Sequence, residues 1–145
     1  MAILTTNQKG AIAEAAVALE AAKLGIGVYR PLNDERNDLI FDVRPKLLRV
    51  QCKWASRYED VIAARLYSAR RARDGLRRTF YSREEIDAFA IYCDDTKTCY
   101  FFDVEDIAQN EMRLRLGPTR NKQAKGIRWA KDYEFAARLS PFLGP

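Results

Sequence analysis

The sequence contains no histidine. This absence excludes Ser–His and Cys–His catalytic triads, and every hydrolytic mechanism in which an imidazole acts as the base. It also disfavours a catalytic zinc site, because such sites draw on His ligands. Any catalytic chemistry must therefore use other side chains.

Cysteine is scarce, and the three that occur (Cys52, Cys93 and Cys99) form an odd number without a paired spacing. This pattern is typical of free thiols in a reducing compartment and not of a disulfide framework. Cys93 and Cys99 flank a predicted turn, so they can lie close together. We nevertheless interpret all three mainly as small buried apolar residues.

Long hydrophobic runs are also absent. The first ten residues, MAILTTNQKG, lack the apolar segment of a signal peptide, and no run approaches the length of a membrane span. No low-complexity segment or internal repeat interrupts the chain. These absences predict a cytoplasmic, soluble protein.

The composition is that of an ordinary globular domain with clustered positive charge. The chain has 145 residues, 48% hydrophobic and 31% charged, and its length predicts one domain over residues 1–145. The net charge is +5. Six Arg and a single acid, Asp74, lie between Arg65 and Arg78, and no acid lies in 113–131. Clusters of this kind favour a polyanionic partner.

The hydrophobic pattern predicts an α/β (α+β) fold, with an N-terminal helix followed by a mixed sheet. A helix over 8–24 is capped by Thr5 or Thr6 and closed by Gly25. The strands are predicted in the segments GVYRP, DLIFDV, LLRVQCKWA, AFAIYC, TCYFFDV and MRLRL. Residues 59–75 fit either a helix, by their Ala and Arg content, or a strand, by the alternation of 61–67. Residues 104–109 predict a short helix, and the C-terminal 127–139 are expected to be partly helical.

Four polar residues lie where these elements predict core. Asp38 begins one predicted strand, and Gln51 and Lys53 share a face of the next, roughly 7 Å apart along it. Glu14 lies on the small, apolar face of the helix, where an acid needs a partner, and a purely structural pair with Lys53 or an arginine is an alternative to a catalytic role. Phosphodiester hydrolysis with a hard cation needs oxygen ligands and a positive group near the developing charge. Asp38, the Gln51 amide and the Cys52 main-chain carbonyl provide the oxygens, and Lys53 provides the positive group.

The motif formed by Asp38 and, after twelve intervening residues, Gln51-x-Lys53 resembles that of the PD-(D/E)xK nuclease superfamily. Over about residues 5–138 the chain resembles, more narrowly, the group I intron-associated PD-(D/E)xK endonucleases. The segments that carry this resemblance are QKGAIAEAAVAL, YRPLNDERNDLIFDV, LLRVQCKWA, EEIDAFAIYC and LRLGPTRNKQAKGIRWAKDYEF.

The resemblance implies a restriction-endonuclease-like core and DNA cleavage dependent on Mg²⁺, with Mn²⁺ as a substitute. It also implies an oligomer, a dimer or tetramer, on double-stranded DNA, and a strand near 60–68. The implied catalytic set is Glu14, Asp38, Gln51 and Lys53, with Asp38, Gln51, the Cys52 carbonyl and Glu14 at the metal.

Two positions depart from the superfamily pattern. Its Pro-Asp dipeptide is Asn37-Asp38 here, and its second acid is Gln51. A neutral amide brings one negative charge less to a cation than a carboxylate does, so we expect weaker metal binding unless Glu14 or the substrate phosphate compensates. The narrower family shares this Gln, so the departure does not indicate an inactive enzyme.

The basic residues are candidate nucleic-acid contacts, namely Arg65, Arg70, Arg71, Arg77, Arg78, Arg120, Asn121, Lys122 and Lys125. The first cluster fits a solvated face equally well, and the second fits a subunit contact. The favoured function is a magnesium-dependent DNA endonuclease of the homing type. A structure-selective nuclease acting on junctions or flaps, or a DNA-binding module without catalysis, are the alternatives.

Overall fold

The structure is a computed structural model that describes residues 3–106 and 110–143, with the backbone alone for Arg70 and Arg71. The described residues form two α-helices and nine strands: α1 (Thr6–Lys23), β1 (Gly27–Tyr29), β2 (Leu39–Asp42), β3 (Leu47–Tyr58), β4 (Val61–Arg65), β5 (Tyr67–Ala72), β6 (Gly75–Phe80), β7 (Ala88–Cys93), β8 (Thr98–Asp103), β9 (Glu111–Arg115) and α2 (Phe135–Leu139).

The N-terminal helix begins at Thr6, two residues before the predicted start, and Thr5 caps it as predicted. The Thr5 hydroxyl accepts from the Gln8 N–H, and the Gln8 side chain accepts in return from the Thr5 N–H, which makes a capping box. Gly25 follows the helix with φ +82°, a conformation that suits glycine. The helix lies over the sheet through Ala13, Val17 and Ala21, all buried.

Strand β3 organises the main sheet because it pairs with three neighbours in succession. Its first residues pair antiparallel with β2, its middle pairs parallel with β7, and its end pairs antiparallel with β4. Strands β1 and β9 extend the sheet at β2 and β4, and β8 pairs with β7. The sheet is therefore mixed and follows an N-terminal helix, which confirms the predicted fold class.

Hydrophobic clusters cover both faces of this sheet. One joins α1 and α2 to side chains such as Phe41, Val50 and Phe101. The other, on the opposite face, includes Ile62, Phe89 and Leu114. All six residues of β7 are buried because their alternate side chains enter the two clusters.

The ambiguous segment after β3 forms strands, as the resemblance implied. Ile62, Ala64 and Leu66 are all buried in the second of these clusters. A strand places such alternate side chains on one face, whereas a helix turns about 100° per residue and would spread them around its circumference. Burial thus outweighs the helical propensity of the Ala and Arg residues.

A separate two-stranded hairpin, formed by β5 and β6, follows this segment. Every residue of β6 is exposed. The sequence carries no signal for β6, because a strand without a buried face has no hydrophobic alternation. Of the short helix predicted at 104–109, Val104–Asp106 forms a 3-10 turn and the remainder lies outside the described residues.

Candidate active site

One cleft of about 760 Å³ contains the whole predicted catalytic set. It lies between the first turns of α1, the middle of β3 and the β4–β5 segment. Its lining includes Glu14, Asp38, Gln51, Cys52, Lys53 and Arg65. Asp38 and Gln51 also border an adjoining cavity of about 350 Å³, which Arg36, Ser68 and Tyr81 help to line. The structure thus brings together residues from three separate elements.

Glu14 reaches the cleft because it follows Ala13 on the face of α1 that packs on the sheet. Its side chain is 26% exposed, and Oε1 lies 3.1 Å from Nη1 of Arg30. Arg30 follows β1 and is 65% exposed. The partner that a half-buried acid requires is therefore an arginine, which was one of the pairings open to Glu14 from its position alone.

Asp38 is held at the point where β2 begins. Its N–H donates to the Val50 carbonyl at 2.9 Å, and its Oδ2 accepts from the Cys52 N–H at 3.0 Å. The β2–β3 ladder ends at Leu39 and Val50, so the Cys52 N–H has a carboxylate in place of a strand partner.

Burial is the main cause that raises the pKa of the Asp38 carboxyl. The nearby Glu14 carboxylate also raises it. The Cys52 N–H, Lys53 and Arg30 act in the opposite direction without cancelling these effects. Asp38 is therefore less acidic than an ordinary aspartate, as suits a carboxylate with little water around it.

Gln51 is 8% exposed, and its Oε1 is buried without a hydrogen-bond donor. Its Nε2 lies 3.5 Å from the Cys52 carbonyl, at the outer limit of a hydrogen bond. A buried acceptor left unsatisfied costs about 1–3 kcal/mol, and native folds rarely tolerate it without a reason. An amide oxygen and a main-chain carbonyl beside Asp38 are ligands suited to a hard divalent cation. The residues present therefore fit such an ion.

Carboxylates are few at this site. Among the residues that the structure describes, no group of three or more His, Cys, Asp or Glu could hold a metal ion. The candidate metal site therefore depends on an amide and a main-chain carbonyl in addition to Asp38 and Glu14. All three cysteines are free and buried, and burial raises the pKa of the Cys52 thiol.

Lys53 is half-buried, and its position is defined by two tyrosines. Its Nζ donates to the Tyr67 carbonyl at 3.2 Å and lies 5.1 Å from the centroid of the Tyr81 ring. Sequence reasoning missed both tyrosines and also Arg30. Tyr67 is the first residue of β5 and Tyr81 directly follows β6, and only the fold brings this hairpin against β3.

The first cluster of candidate nucleic-acid contacts lies beside the cleft. Arg65 lines it, and Tyr67, Ser68 and Ala69 continue the lining into the hairpin. Arg77 and Arg78, on β6, are exposed beyond the cleft. The side chains of Arg70 and Arg71 lie outside the described residues.

The second cluster lies on the loop between β9 and residue 130, and its residues do not line the cleft. Its members are exposed, namely Arg120, Asn121, Lys122 and Lys125. The Asn121 side chain accepts from the Gln123 N–H at 3.1 Å, and Arg120 lies 3.8 Å from Glu59. These contacts shape the loop and do not distinguish a DNA contact from a subunit contact.

The class of protein follows from comparison with known families. Residues 4–136 match the PD-(D/E)XK endonuclease family, and the chain belongs to it. Enzymes of this family are nucleases that generally use divalent metal ions. The resemblance seen in the sequence is thereby confirmed.

A particular solved structure is also similar, namely the bacterial homing endonuclease I-Ssp6803I. It matches with a TM-score of 0.77 and 28% sequence identity, over 94% of this chain and 93% of that one. No curated protein sequence matches the chain. In the part of the chain that the structure describes, no helix is long and apolar enough to cross a membrane.

Proposed function

We propose that the chain is a magnesium-dependent DNA endonuclease of the homing type. The observation that carries this proposal is the convergence of Glu14, Asp38, Gln51 and Lys53 in one cleft, beside an arginine-rich hairpin. The orphaned Oε1 of Gln51 supports a cation site within that cleft. Residues 1–145 would act as one nuclease domain in the cytoplasm.

Each residue of the cleft has a distinct role in this proposal. Asp38, the Gln51 amide oxygen and the Cys52 carbonyl would hold Mg²⁺, or Mn²⁺ in its place, with Glu14 as a further carboxylate. A divalent cation at that position supplies positive charge and Lewis acidity to a phosphodiester. Lys53 provides a second positive charge, which stabilises the negative charge that develops on the phosphate during attack by water.

The electrostatics of the cleft suit a polyanionic substrate. The cleft is lined by Lys9, Lys53 and Arg65 and by three carboxylates, Glu14, Asp38 and Glu111, and Arg30 pairs with Glu14 beside it. Four positive groups thus face three carboxylates, so a phosphate can approach without facing net repulsion. Arg and Lys on the hairpin and on the 116–129 loop would contact the DNA backbone, and such contacts make binding strongly salt-dependent.

The test is cleavage of plasmid and linear double-stranded DNA with Mg²⁺, with Mn²⁺ and with EDTA. We expect nicking or cutting with either ion and none with EDTA. Lys53→Ala and Asp38→Ala should reduce the rate at least roughly 100-fold, as removal of charge stabilisation at a reacting centre does. The matched controls are Lys23→Ala and Asp95→Ala, which remove exposed charges outside the cleft.

Three outcomes would count against the proposal in different ways. Full activity of Lys53→Ala or Asp38→Ala would reject the site assignment. Preference for branched over linear duplex would support a structure-selective nuclease. Salt-sensitive binding without turnover on any DNA form would support a binding module that lacks catalysis.

A further inference from the structure

The base of the β5–β6 hairpin is held by two cations, Lys53 of the cleft and Arg36 of the adjoining cavity. Tyr67 and Phe80 form the first residue pair of the hairpin. Nζ of Lys53 donates to the Tyr67 carbonyl at 3.2 Å, and Nη2 of Arg36 donates to the Phe80 carbonyl at 3.1 Å. The described strands of the hairpin form no ladder with the main sheet, so these bonds are important tethers between the two.

The ring of Tyr81 lies against both cations. Its centroid is 3.9 Å from Cζ of Arg36 and 5.1 Å from Nζ of Lys53. Both distances are within the range in which the face of an aromatic ring attracts a cation. Arg36 precedes Asp38 by two residues, so the ring also lies beside the segment that leads into the metal-binding candidates.

Tyr81 is itself fixed from two further directions. Its ring packs edge-on against the buried Phe89, with centroids 5.4 Å apart. Its hydroxyl shares a hydrogen bond of 2.7 Å with the Ser68 hydroxyl on β5. The side chain therefore connects the core, the hairpin and Lys53 at one point.

We propose that Tyr81 is a positioning residue that aligns the Lys53 ammonium and couples its placement to the seating of the hairpin. A lysine has a long flexible stem, so its charge is effective only where other groups restrict it. The Tyr81 ring and the Tyr67 carbonyl supply that restriction. A hairpin seated on DNA would hold both groups in place and so favour reaction at a correctly bound site. This inference rests on the proposed nuclease function.

The test compares Tyr81→Leu, which removes the ring, with Tyr81→Phe, which keeps it. Two quantities are measured: the single-turnover cleavage rate at saturating DNA with Mg²⁺, and the dissociation constant for the same DNA with Ca²⁺. We expect Tyr81→Leu to lower the rate roughly 10- to 100-fold, because small displacements of a catalytic group have effects of that size. The dissociation constant should change less than about twofold, because the DNA contacts remain.

The conservative variants separate the ring from the hydroxyl. Tyr81→Phe and Ser68→Ala remove the same hydrogen bond, so each should lower the rate by the same modest factor, at most about fivefold. In a Lys53→Ala background, Tyr81→Leu should bring no further loss, because its effect acts through the ammonium. The matched control is Tyr133→Leu. Tyr133 is a half-buried tyrosine outside the cleft, and its ring centroid lies 3.8 Å from Cζ of Arg138.

The outcomes separate failure of this inference from failure of the proposed function. An inert parent protein would overturn both. If the parent protein is active, any of three results would overturn this inference alone. These are a Tyr81→Leu cleavage rate within twofold of the parent's, an effect confined to the dissociation constant, and an equal loss of cleavage rate in Tyr81→Phe. Thermal melting checks that each variant is folded. If Tyr81→Leu is unfolded, Tyr81→Met replaces it, because the methionine side chain can contact Phe89 without providing a ring. The same changes in cleavage rate and dissociation constant are then expected of Tyr81→Met.

Discussion

At the scale of single residues, the cleft contains groups that a fold optimised for stability alone would avoid. The Asp38 carboxyl is partly buried beside a second carboxylate, and the Gln51 Oε1 lacks a donor. Such groups are costly to bury and concentrate at functional sites. Both were found from their spacing in the sequence, because the motif is local to two neighbouring strands.

Asp38→Asn should stabilise the protein at neutral pH. The pKa of Asp38 is raised from 3.8, so the native state binds this proton more tightly than the unfolded chain. Stability therefore falls as pH rises from 3.8 through the raised value, and the ionised carboxylate is unfavourable above it. We expect the melting temperature to rise on the order of 2 °C at pH 7. The gain should vanish as pH approaches 3.8, while cleavage is lost at all pH values.

Calorimetry between pH 3.5 and 8 measures this difference. Asp95→Asn, on an exposed turn, is the control and should show no comparable gain. A lower melting temperature for Asp38→Asn at pH 7 would mean that the hydrogen bond from Cys52 outweighs the burial of the charge.

Gln51→Glu should tighten metal binding in the absence of DNA. The substitution adds a negative charge beside Asp38 and the Cys52 carbonyl, so affinity for Mg²⁺ should increase on the order of tenfold or more. Without metal the variant should melt at a lower temperature, because a further buried carboxylate faces Asp38. Melting in a Mg²⁺ titration measures both effects. Gln123→Glu, in the exposed loop, should show neither effect. If the melting temperature of Gln51→Glu responds to Mg²⁺ as that of the parent does, the Gln51 amide is not a metal ligand.

At the scale of elements, the structure resolves the ambiguous arginine-rich segment into two parts. Strand β4 enters the main sheet, whereas β5 and β6 form a separate hairpin. The apolar alternation in 61–67 predicts the first part. The second is not predicted, because its strands are stabilised by pairing with each other and by contacts from Arg36 and Lys53, which are distant in sequence.

The hairpin arginines should contribute to DNA affinity and to its salt dependence. Replacing Arg77 and Arg78 together with Ala removes two exposed charges from β6. We expect roughly tenfold weaker binding at physiological salt, and a log–log salt slope smaller by about 2. Fluorescence anisotropy over a salt series measures both quantities.

A variant of equal charge change serves as the control. Arg44→Ala with Lys46→Ala removes two exposed charges from the β2–β3 turn, which does not line the cleft. If both double variants lose the same affinity, the hairpin has no special role and only the net charge matters.

At the scale of the whole molecule, the residues that the structure describes form one candidate catalytic site in one cleft. A duplex has two strands of opposite polarity, so cutting both in one binding event needs two copies related by a two-fold axis. This agrees with the oligomer expected from the family resemblance, which stays a prediction.

Mixing active and inactive copies tests this arrangement. With Lys53→Ala in excess, we expect plasmid cleavage to change from linear product to nicked circles, because most assemblies that contain an active copy then hold only one. Light scattering with and without DNA gives the number of copies. Linear product from a species that remains monomeric on DNA would contradict the prediction.

The sequence by itself determined the features that depend on neighbouring residues. These include the capped helix, the strands with a buried face, and the Asp38, Gln51 and Lys53 pattern, because helix caps and side-chain alternation act over a few residues. Only the tertiary structure decided that Arg30 pairs with Glu14 and that Tyr67 and Tyr81 restrain Lys53. These contacts join segments that are far apart in the chain, and their formation depends on how β3 brings the helix, the sheet and the hairpin together.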